Sequence, residues 1–467
     1  MAEDEATQAD APMAAPEGTA TEGTAAERIA AFAAGLRGAE VPEAVLRVAS
    51  LHLLDAVGVG LAASAAPHCV GWARAAEPGA VPLLSGGTDS PGSAAMLNGA
   101  LIHALEYDDT HTGSVVHGSA VAVPAALAAG AEAGATGREA LLATVLAWEV
   151  AVRIGRAAPG AFQARGFQAT TVGGAVGAAA ASAFLHGLDP ARTVSALGIA
   201  GSEASGTLGF LSDGATVKAL NPGWAARTGL TAARLAEAGM TGPADTLEGR
   251  FGVMAVFAGG VGGLKAELAD MGARWHLPDA AFKLWPCCHY IHPFLEALGG
   301  LMSEGLTADD LTCLTAHVPP PMAPLICEPW VRRQAPVTGY DGKWGLPWCL
   351  ALLLADGVVT VESFEAEPRP EVVALARRME WVEMDDHGFP DRFAARIEVD
   401  TGAGMHVAGV DSVCGGPGRP VPDGAIRDKF RANAARRLPQ AAVDRLEAAL
   451  LGLAEAPDLS EVTAALA

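Results

Sequence analysis

The sequence has little positive charge, few aromatic residues and no CxxC motif. Its 31 Lys and Arg residues are outnumbered by 53 Asp and Glu residues, which gives a net charge of −22. Such an acidic chain lacks the basic face that binds phosphate, so we expect no nucleic acid partner. The seven cysteines show no CxxC spacing. They therefore favour neither a disulfide framework nor a zinc ribbon, and they fit a reduced, cytoplasmic setting.

Long apolar runs and a targeting segment are also missing. The sequence shows no uninterrupted stretch of about 18 strongly apolar residues, the length that a transmembrane helix needs, so we expect no membrane partner. Residues 1–25 are acidic and have neither the basic start nor the apolar run of a signal peptide. Because this stretch has no apolar periodicity, it is predicted to be a disordered acidic tail.

The rest of the chain is rich in small apolar residues. Hydrophobic residues make up 51% although aromatic residues are only 5%, and there are 56 glycines. Alanine has the highest helix propensity, so this composition predicts closely packed helices. Gly58 and Gly60 lie inside a predicted helix over 42–63. Because glycine costs about 1 kcal/mol in a helix interior, we expect a close contact with another element at this point.

The apolar pattern changes near residue 275. Residues 26–274 show helical spacing with short glycine-rich connections, which predicts a helical domain rather than a βαβ series. Residues 275–412 predict a smaller α+β lid domain, and residues 413–467 predict helices that return to the helical domain. The predicted fold is therefore mainly α, with a discontinuous helical domain and a smaller α+β domain. Strands are predicted at 282–285, 311–317, 394–399 and 405–410. Helices of the first domain are predicted at 25–36, 42–63, 93–107, 119–133, 137–157, 171–186, 190–206, 223–238 and 246–256.

The densest polar cluster runs from residue 103 to 119. Its acids, histidines and hydroxyls could present a general base and a carboxylate that orients it. The competing interpretation is helix capping by Asp109, Thr110 and Ser119. A metal site is the weakest interpretation because the spacing matches no HExxH-type pattern, so no metal is expected. The residues considered as metal ligands are Asp108, Asp109, His111 and His117.

Two further stretches could bind an anion. Residues 166–174 place Gln168, Thr170 and Thr171 before a Gly/Ala helix, where backbone N–H groups bind anions; helix capping by a threonine is the equally weighted alternative. The stretch is not a GxGxxG motif after a strand, so it does not indicate a dinucleotide. Lys218 is the only lysine or arginine between Arg192 and Arg227. It is therefore predicted to hold a carboxylate or to act as an acid or base, with a solvated surface lysine as the alternative.

The fourth stretch, at 282–293, contains two adjacent cysteines and two histidines. Cys288 could be a nucleophile, but adjacency to a histidine in sequence is not the spatial pairing that a thiolate needs, and buried inert cysteines are commoner. Three well-spaced cysteines for an iron–sulfur cluster are not visible, so no cofactor is expected. Further along, the Arg332–Arg333 pair could contact carboxylates, although a solvated surface run is slightly favoured.

These stretches, in this order, resemble the MmgE/PrpD family, which includes 2-methylcitrate dehydratase, cis-aconitate decarboxylase and iminodisuccinate epimerase. The resemblance covers nearly everything after residue 25. It implies a large helical domain, an α+β lid and a homodimer. The matching pieces are LLDAVGVGLAAS (53–64), NGALIHALEYDDTH (98–111), HGSAVAVPAALA (117–128), GFQATTVGGAVGAAAA (166–181), DGATVKALNPGWAARTGLTAARLAEAG (213–239), LEGRFG (247–252), KLWPCCHYIHP (283–293) and DKF (428–430).

The resemblance also implies roles for individual residues. His117 would be the leading base or acid, and Glu106 and Asp109 would orient or tune it. Lys218 and Thr110 would bind a substrate carboxylate or stabilise the enolate, and His292 would be a second proton carrier from the lid. Further substrate contacts are expected from Gln168, Thr170, Cys288 and His111.

One position departs from the family pattern. Many relatives have GFH where this chain has Gly166-Phe167-Gln168, and glutamine cannot carry a proton near neutral pH. The resemblance implies a cofactor-independent lyase, foremost a dehydratase of a 2-methylcitrate- or alkylcitrate-like acid. The alternatives are an epimerase of a dicarboxylate, a cis-aconitate-type decarboxylase, and a non-catalytic anion-binding protein. The expected partner is a small carboxylate.

Overall fold

The computed structural model describes residues 23–212, 214–389 and 392–466. Of the tail predicted for residues 1–25, positions 1–22 lie outside the described residues. Helix α1 (Ala25–Gly35) begins at a capping box, in which the Thr24 side chain accepts from the Glu27 amide and the Glu27 carboxylate accepts from the Thr24 amide. The predicted first helix is therefore confirmed, and its start is fixed by local chemistry.

Helices dominate the first part of the chain, as predicted. Two of them, α4 and α5, have the predicted bounds, because Gly134 ends α4 in the left-handed conformation and Thr136 and Glu139 form a capping box for α5. The helices of this part are α2 (Glu43–Ser64), α3 (Pro91–His103), α4 (Ser119–Ala133), α5 (Gly137–Ala157), α6 (Ala161–Ala164), α7 (Ala169–Leu185), α8 (Pro190–Ser202), α9 (Val217–Glu237) and α10 (Leu264–Ala269). A two-stranded hairpin, β1 (Val81–Pro82) and β2 (Thr88–Asp89), precedes α3.

Glycines let these helices approach closely. A Cβ added to Gly99 of α3 would lie 2.6 Å from the Gly223 Cα of α9, so a side chain at either position would force the two helices apart. The close contacts predicted for Gly58 and Gly60 are confirmed, because Gly58 faces Phe430 and Gly60 faces Leu84 with no room for a methyl group. Absent side chains thus set the spacing of the helical core.

The second part of the chain is the smaller α+β domain. Its four-stranded sheet has the order β4-β3-β5-β6, with β3 parallel to β4 and the other neighbours antiparallel. Its core is built from residues between 287 and 413. The strands are β3 (Cys313–Val318), β4 (Met379–Glu383), β5 (Ala395–Asp400) and β6 (Met405–Val410). The helices are α11 (His292–Ser303), α12 (Ala323–Ile326), α13 (Trp330–Gln334), α14 (Gly339–Gly342), α15 (Leu346–Asp356) and α16 (Pro370–Ala376).

The last three helices pack with the first core. They are α17 (Asp423–Ala434), α18 (Gln440–Leu451) and α19 (Ser460–Leu466), and their buried side chains belong to the same cluster as those of α2. Phe430 of α17 lies against Gly58 of α2. Lys429 of α17 donates to Asp55 of α2 and to the main-chain oxygens of Tyr107 and Lys283. The chain therefore comes back to the helical domain beside the polar 103–119 loop.

Three local predictions were wrong. Residues 246–256 form turns followed by a short π-helix, Met254–Ala258, because a glycine-rich segment offers little continuous helix propensity. Residues 282–285 form no strand; only a single bridge joins Ala281 to Thr110. Helix α9 starts at Val217 rather than Gly223, with Pro222 inside it.

Within the part of the chain that the structure describes, one helix has the length and composition of a membrane span. This helix is Glu43–Ser64, and 83% of its apolar 18-residue stretch is buried inside the protein. A buried core helix passes the same test of length and apolar composition. The sequence expectation overlooked it because Ser50, His52 and Asp55 interrupt the apolar run.

Candidate active site

A cavity of about 660 Å³ lies between the helical domain and the lid. The helical domain contributes segments around His117, Gln168 and Lys218, and the lid contributes the stretch from 321 to 344. The polar side chains among its described lining residues include His117, Gln168, Lys218, Tyr290, Arg332 and Arg333. Five of the residues singled out in the sequence thus lie at one cavity.

His117 presents an unprotonated ring nitrogen. Its Nδ1 lies 2.9 Å from the main-chain oxygen of Asp109 and 3.1 Å from the Thr110 hydroxyl. Because a carbonyl oxygen only accepts, Nδ1 carries the proton and Nε2 keeps its lone pair. Burial lowers the pKa of His117 to about 3, although Asp108 opposes this. The ring is therefore neutral at pH 7 and equipped to act as a base.

A second histidine, His103, connects an acid to Lys218. Its Nδ1 lies 2.8 Å from Asp108 Oδ2, and its Nε2 lies 3.2 Å from Lys218 Nζ. Burial would raise the pKa of Asp108, but His103 lowers it overall, so the acid is ionised and accepts from Nδ1–H. His103 Nε2 then accepts from the ammonium. The rings of His103 and His117 are 4.9 Å apart between centroids.

Lys218 is held by a buried ion pair with Glu106. Burial opposes ionisation of Glu106, but Lys218 and then Lys283 hold its pKa at about 2. Glu106 is also one of two described non-glycine residues with a positive φ, 54°. Such a conformation costs on the order of 1–3 kcal/mol and persists where the surrounding contacts impose it. Here Lys283 Nζ donates to the Glu106 main-chain oxygen at 3.1 Å.

The lid arginines face the cavity, which corrects the expectation of a solvated surface run. Arg332 pairs with Asp341 at 3.3 Å, and Arg333 donates to the Glu328 main-chain oxygen at 3.2 Å. Both line the same cavity as Lys218. The pair lies on α13, a five-residue helix too short to show amphipathic spacing in the sequence.

Comparison with known proteins agrees with this architecture. The model of the MmgE/PrpD N-terminal domain matches residues 27–262, and that of the C-terminal domain matches residues 285–454. This chain belongs to the MmgE/PrpD family. A cis-aconitate decarboxylase-like protein, oryM, of Aspergillus oryzae is 30% identical over 455 residues, covering 92% of this chain and 94% of the relative. Cis-aconitate decarboxylase of Aspergillus terreus is 29% identical, covering 92% and 93%. The human cis-aconitate decarboxylase is 27% identical, covering 80% and 79%.

Gln168, where the resemblance implies a histidine in many relatives, is part of the His103 network. Gln168 Nε2 lies 3.4 Å from His103 Nε2, and its Oε1 accepts from Asn221 at 3.1 Å. An amide in this orientation donates to the ring nitrogen that also faces Lys218. Gln168 therefore orients His103, but its amide cannot transfer a proton.

Several residues predicted for the site do not line the cavity but hydrogen-bond to the loop that carries His117. Asp109 accepts from His52 at 2.7 Å and from the Ser119 amide at 3.2 Å, so its carboxylate anchors the loop while its main-chain oxygen orients His117. The Thr170 hydroxyl accepts from the His117 amide at 3.0 Å. Neither Thr170 nor Ser119 caps a helix with its side chain, as the alternative interpretation of these stretches had it.

His111, Cys288 and His292 are not among the described residues that line the cavity. The His111 side chain faces Ser114 and His276 instead. His292 is fully buried against Trp285 and the neighbouring His289. Burial raises the pKa of Cys288 to about 12, so the thiol is protonated at neutral pH. The structure therefore gives these three no direct contact with a ligand in the cavity.

Two lysines near the site are buried, and sequence reasoning gave one of them, Lys283, no role. Lys283 and Lys343 are 0% and 1% exposed. Lys343 Nζ donates to the main-chain oxygens of Leu105 and Pro286, and so joins the lid to the 103–119 loop. The signal that singled out Lys218, a cation inside an apolar motif, applies equally to Lys283 in KLWPCC.

Two groups of described side chains have metal-ligand spacing. They are His103, Asp108 and His117 in the site and His111, His276 and Asp279 beside it, each with ligand atoms within 4.8 Å of one another. In the first group, Asp108 accepts a hydrogen bond from His103 Nδ1, and the Lys218 ammonium faces the other nitrogen of that ring. The ammonium groups of Lys218 and Lys283 thus supply positive charge at this position from the protein itself.

Proposed function

We propose that this chain is a cofactor-independent lyase that removes water from a citrate-like acid of the 2-methylcitrate class. The observation that carries the proposal is the neutral His117, whose Nε2 lone pair lies in the same cavity as the Lys218 ammonium. Dehydration of a β-hydroxy acid begins by removing a proton from the carbon beside a carboxylate. A base with a free lone pair and a nearby cation are what that step needs.

The step balances with these two side chains. His117 Nε2 takes the carbon-bound proton, and the electron pair of that C–H bond forms the C=C bond. The C–O bond breaks, and the departing hydroxide takes a proton from Lys218 Nζ to leave as water. Lys218 and His117 then exchange their protons with solvent, which restores the starting state. The negative charge of Asp108, which accepts a hydrogen bond from His103, favours the positively charged form of His117 that arises during the step.

The lid supplies charge for the substrate carboxylates. Arg332 and Arg333 line the cavity with Lys218, and bidentate arginine contacts suit planar carboxylates. In a chain with a net charge of −22, these three cations line one cavity. This supports a substrate with more than one carboxylate.

Decarboxylation is the second candidate, and the three relatives named above favour it. In that reaction a C–C bond breaks, CO2 leaves and the electron pair must be protonated on carbon. This reaction needs a proton donor for the carbanion, and Lys218 and Tyr290 are among the described residues that line the cavity. The replacement of the family histidine by Gln168 removes one further proton carrier, which is why we place dehydration first.

A panel of 2-methylcitrate, citrate, cis-aconitate and iminodisuccinate would test the proposal by mass spectrometry and by NMR in deuterated water. We expect loss of the mass of water. Loss of CO2 would replace the proposal by the second candidate, and deuterium exchange without elimination would replace it by an epimerase. Binding without turnover would support an anion-binding protein and refute the enzyme.

We further propose a cytoplasmic homodimer, on the resemblance to the family alone. Light scattering of the purified chain at several concentrations would test the oligomeric state. A constant mass of about twice 47.2 kDa is the expected result, and a monomer at all concentrations would contradict it.

A further inference from the structure

We infer that the substrate carries an apolar chain longer than a methyl group, held by one wall of the cavity. The inference rests on the proposed function, because it names the class of substituent on the same acid. The six side chains that we call the apolar wall come from two segments, one in each domain: Leu208, Phe210, Leu211, Pro321, Pro324 and Leu325.

The size of the cavity is the first observation. Its volume of about 660 Å³ lies within the range of roughly 300–1,000 Å³ that holds drug-sized ligands. A citrate-like acid is much smaller than such a ligand. Once its carboxylates are paired with Lys218 and the lid arginines, a large part of the cavity remains for another group.

The chemistry of the remaining wall is the second observation. The wall segments 208–211 and 321–325 contain no charged residue. Leu211 is 47% exposed, so a ligand that covers it would remove apolar surface from water. Glu328, three residues after Leu325, also lines the cavity and disfavours a further carboxylate at this end. An alkyl chain fits this wall better than a polar substituent does.

The placement of the wall on both domains is the third observation. Phe210 is 6% exposed and lies within cation–π range of Lys218, with Nζ 6.0 Å from the ring centroid. The wall therefore begins next to the cation assigned to the reaction. A chain attached to the acid would extend directly from the reacting carbons along this wall.

A chain-length series tests the inference. The substrates are citrates substituted at C2 with methyl, propyl, pentyl and heptyl groups, and the readout is kcat/KM for loss of water. Full burial of a methylene in an apolar site increases binding by about three- to fourfold. We expect kcat/KM to rise by about that factor per methylene until the wall is filled.

Two variants identify the wall as the cause. Leu211→Glu should abolish the rise of kcat/KM with chain length. Met240→Glu is the matched control, because Met240 is similarly exposed, at 51%, and is not among the lining residues. It should leave the whole series unchanged. Calorimetric titration with the unreactive C2-alkyl tricarballylates should show the same dependence on chain length without turnover.

The two failures can be told apart. If no member of the series reacts and no tricarballylate binds, the proposed function fails and the inference fails with it. If methylcitrate reacts but longer chains give equal or lower kcat/KM, the inference alone is overturned. A rise that persists in Leu211→Glu would also overturn it, because the gain would then come from elsewhere.

Discussion

Replacing His117 by glutamine tests the central feature of the site. Glutamine keeps an amide that can donate to the Asp109 main-chain oxygen, but it supplies no base at the position of Nε2. A positioned general base contributes about 10²–10⁴-fold to rate. At about 1.4 kcal/mol for each tenfold, the loss should correspond to roughly 3–5.5 kcal/mol of barrier. We expect kcat to fall by this factor on whichever acid the wild type turns over.

The pH dependence adds a second measurement. Burial holds the pKa of His117 at about 3, so the base is already unprotonated throughout the range from pH 5 to 8. The wild-type rate should therefore show no acid limb with a midpoint near the ordinary histidine value of about 6.5. Exchange of the carbon-bound proton with deuterated water should be lost in the variant along with turnover.

His111→Gln is the matched control, six residues away in the same loop. Its side chain faces Ser114 and His276 and not the cavity, so its activity should stay within a few-fold of the wild type. Circular dichroism would establish that both variants fold. The reasoning is refuted if His117→Gln keeps more than a tenth of wild-type activity, or if His111→Gln loses as much.

Three further predictions concern the cation of the site, the anchoring of its loop and the pH dependence of stability. Lys218→Met should lower kcat by about 10²–10³-fold in steady-state assays, whereas Lys265→Met, an exposed control, should not; equal activity of the two would remove Lys218 from the mechanism. Asp109→Asn leaves the donors of His52 and Ser119 facing an amide nitrogen and should lower the free energy of unfolding by about 2–3 kcal/mol in urea titration; an unchanged midpoint would contradict its anchoring role. Stability should fall as the pH drops from 6.5 towards 4.5. Burial lowers the pKa of His68 to about 4 and of His111 to about 3, so the unfolded chain takes up protons there while the folded one does not. The slope should approach 1.4 kcal/mol per pH unit per histidine and become shallower in His111→Gln; an identical slope would refute this assignment.

The helical domain was largely predictable because its signals are local. Helices α4 and α5 carry alanine-rich stretches, a left-handed glycine and a capping box, and their bounds were predicted to the residue. Strand β4 was missed because it is a charged edge strand that pairs in parallel with β3, a contact between residues about 65 positions apart. Pairing over such a separation leaves no periodic trace in one strand alone.

The site was predictable where a motif holds the reacting group, and not where the fold brings distant groups together. His117 and Lys218 stood out as polar residues inside apolar motifs. The pairing of Arg332 and Arg333 with the cavity depends on how the lid folds, and their sequence looks like any charged surface turn. His292 has the right residue type, but its ring is fully buried and is not among the described residues that line the cavity. Residue type and spacing identified the candidates, and tertiary packing decided which of them meet.

The contact of α3 with α9 has a consequence for how this site can change. Gly99 lies one helical turn before His103, and Gly223 lies five residues after Lys218, so the 3.2 Å between His103 Nε2 and Lys218 Nζ depends on two backbones that touch. Replacing glycine by alanine inside a helix usually stabilises a protein. Here the same replacement would act as a wedge that separates the two partners without altering either of them. Activity in this molecule is therefore sensitive to substitution at two positions that have no side chain. Replacing these helix glycines by alanine to stabilise the protein would instead lower its activity.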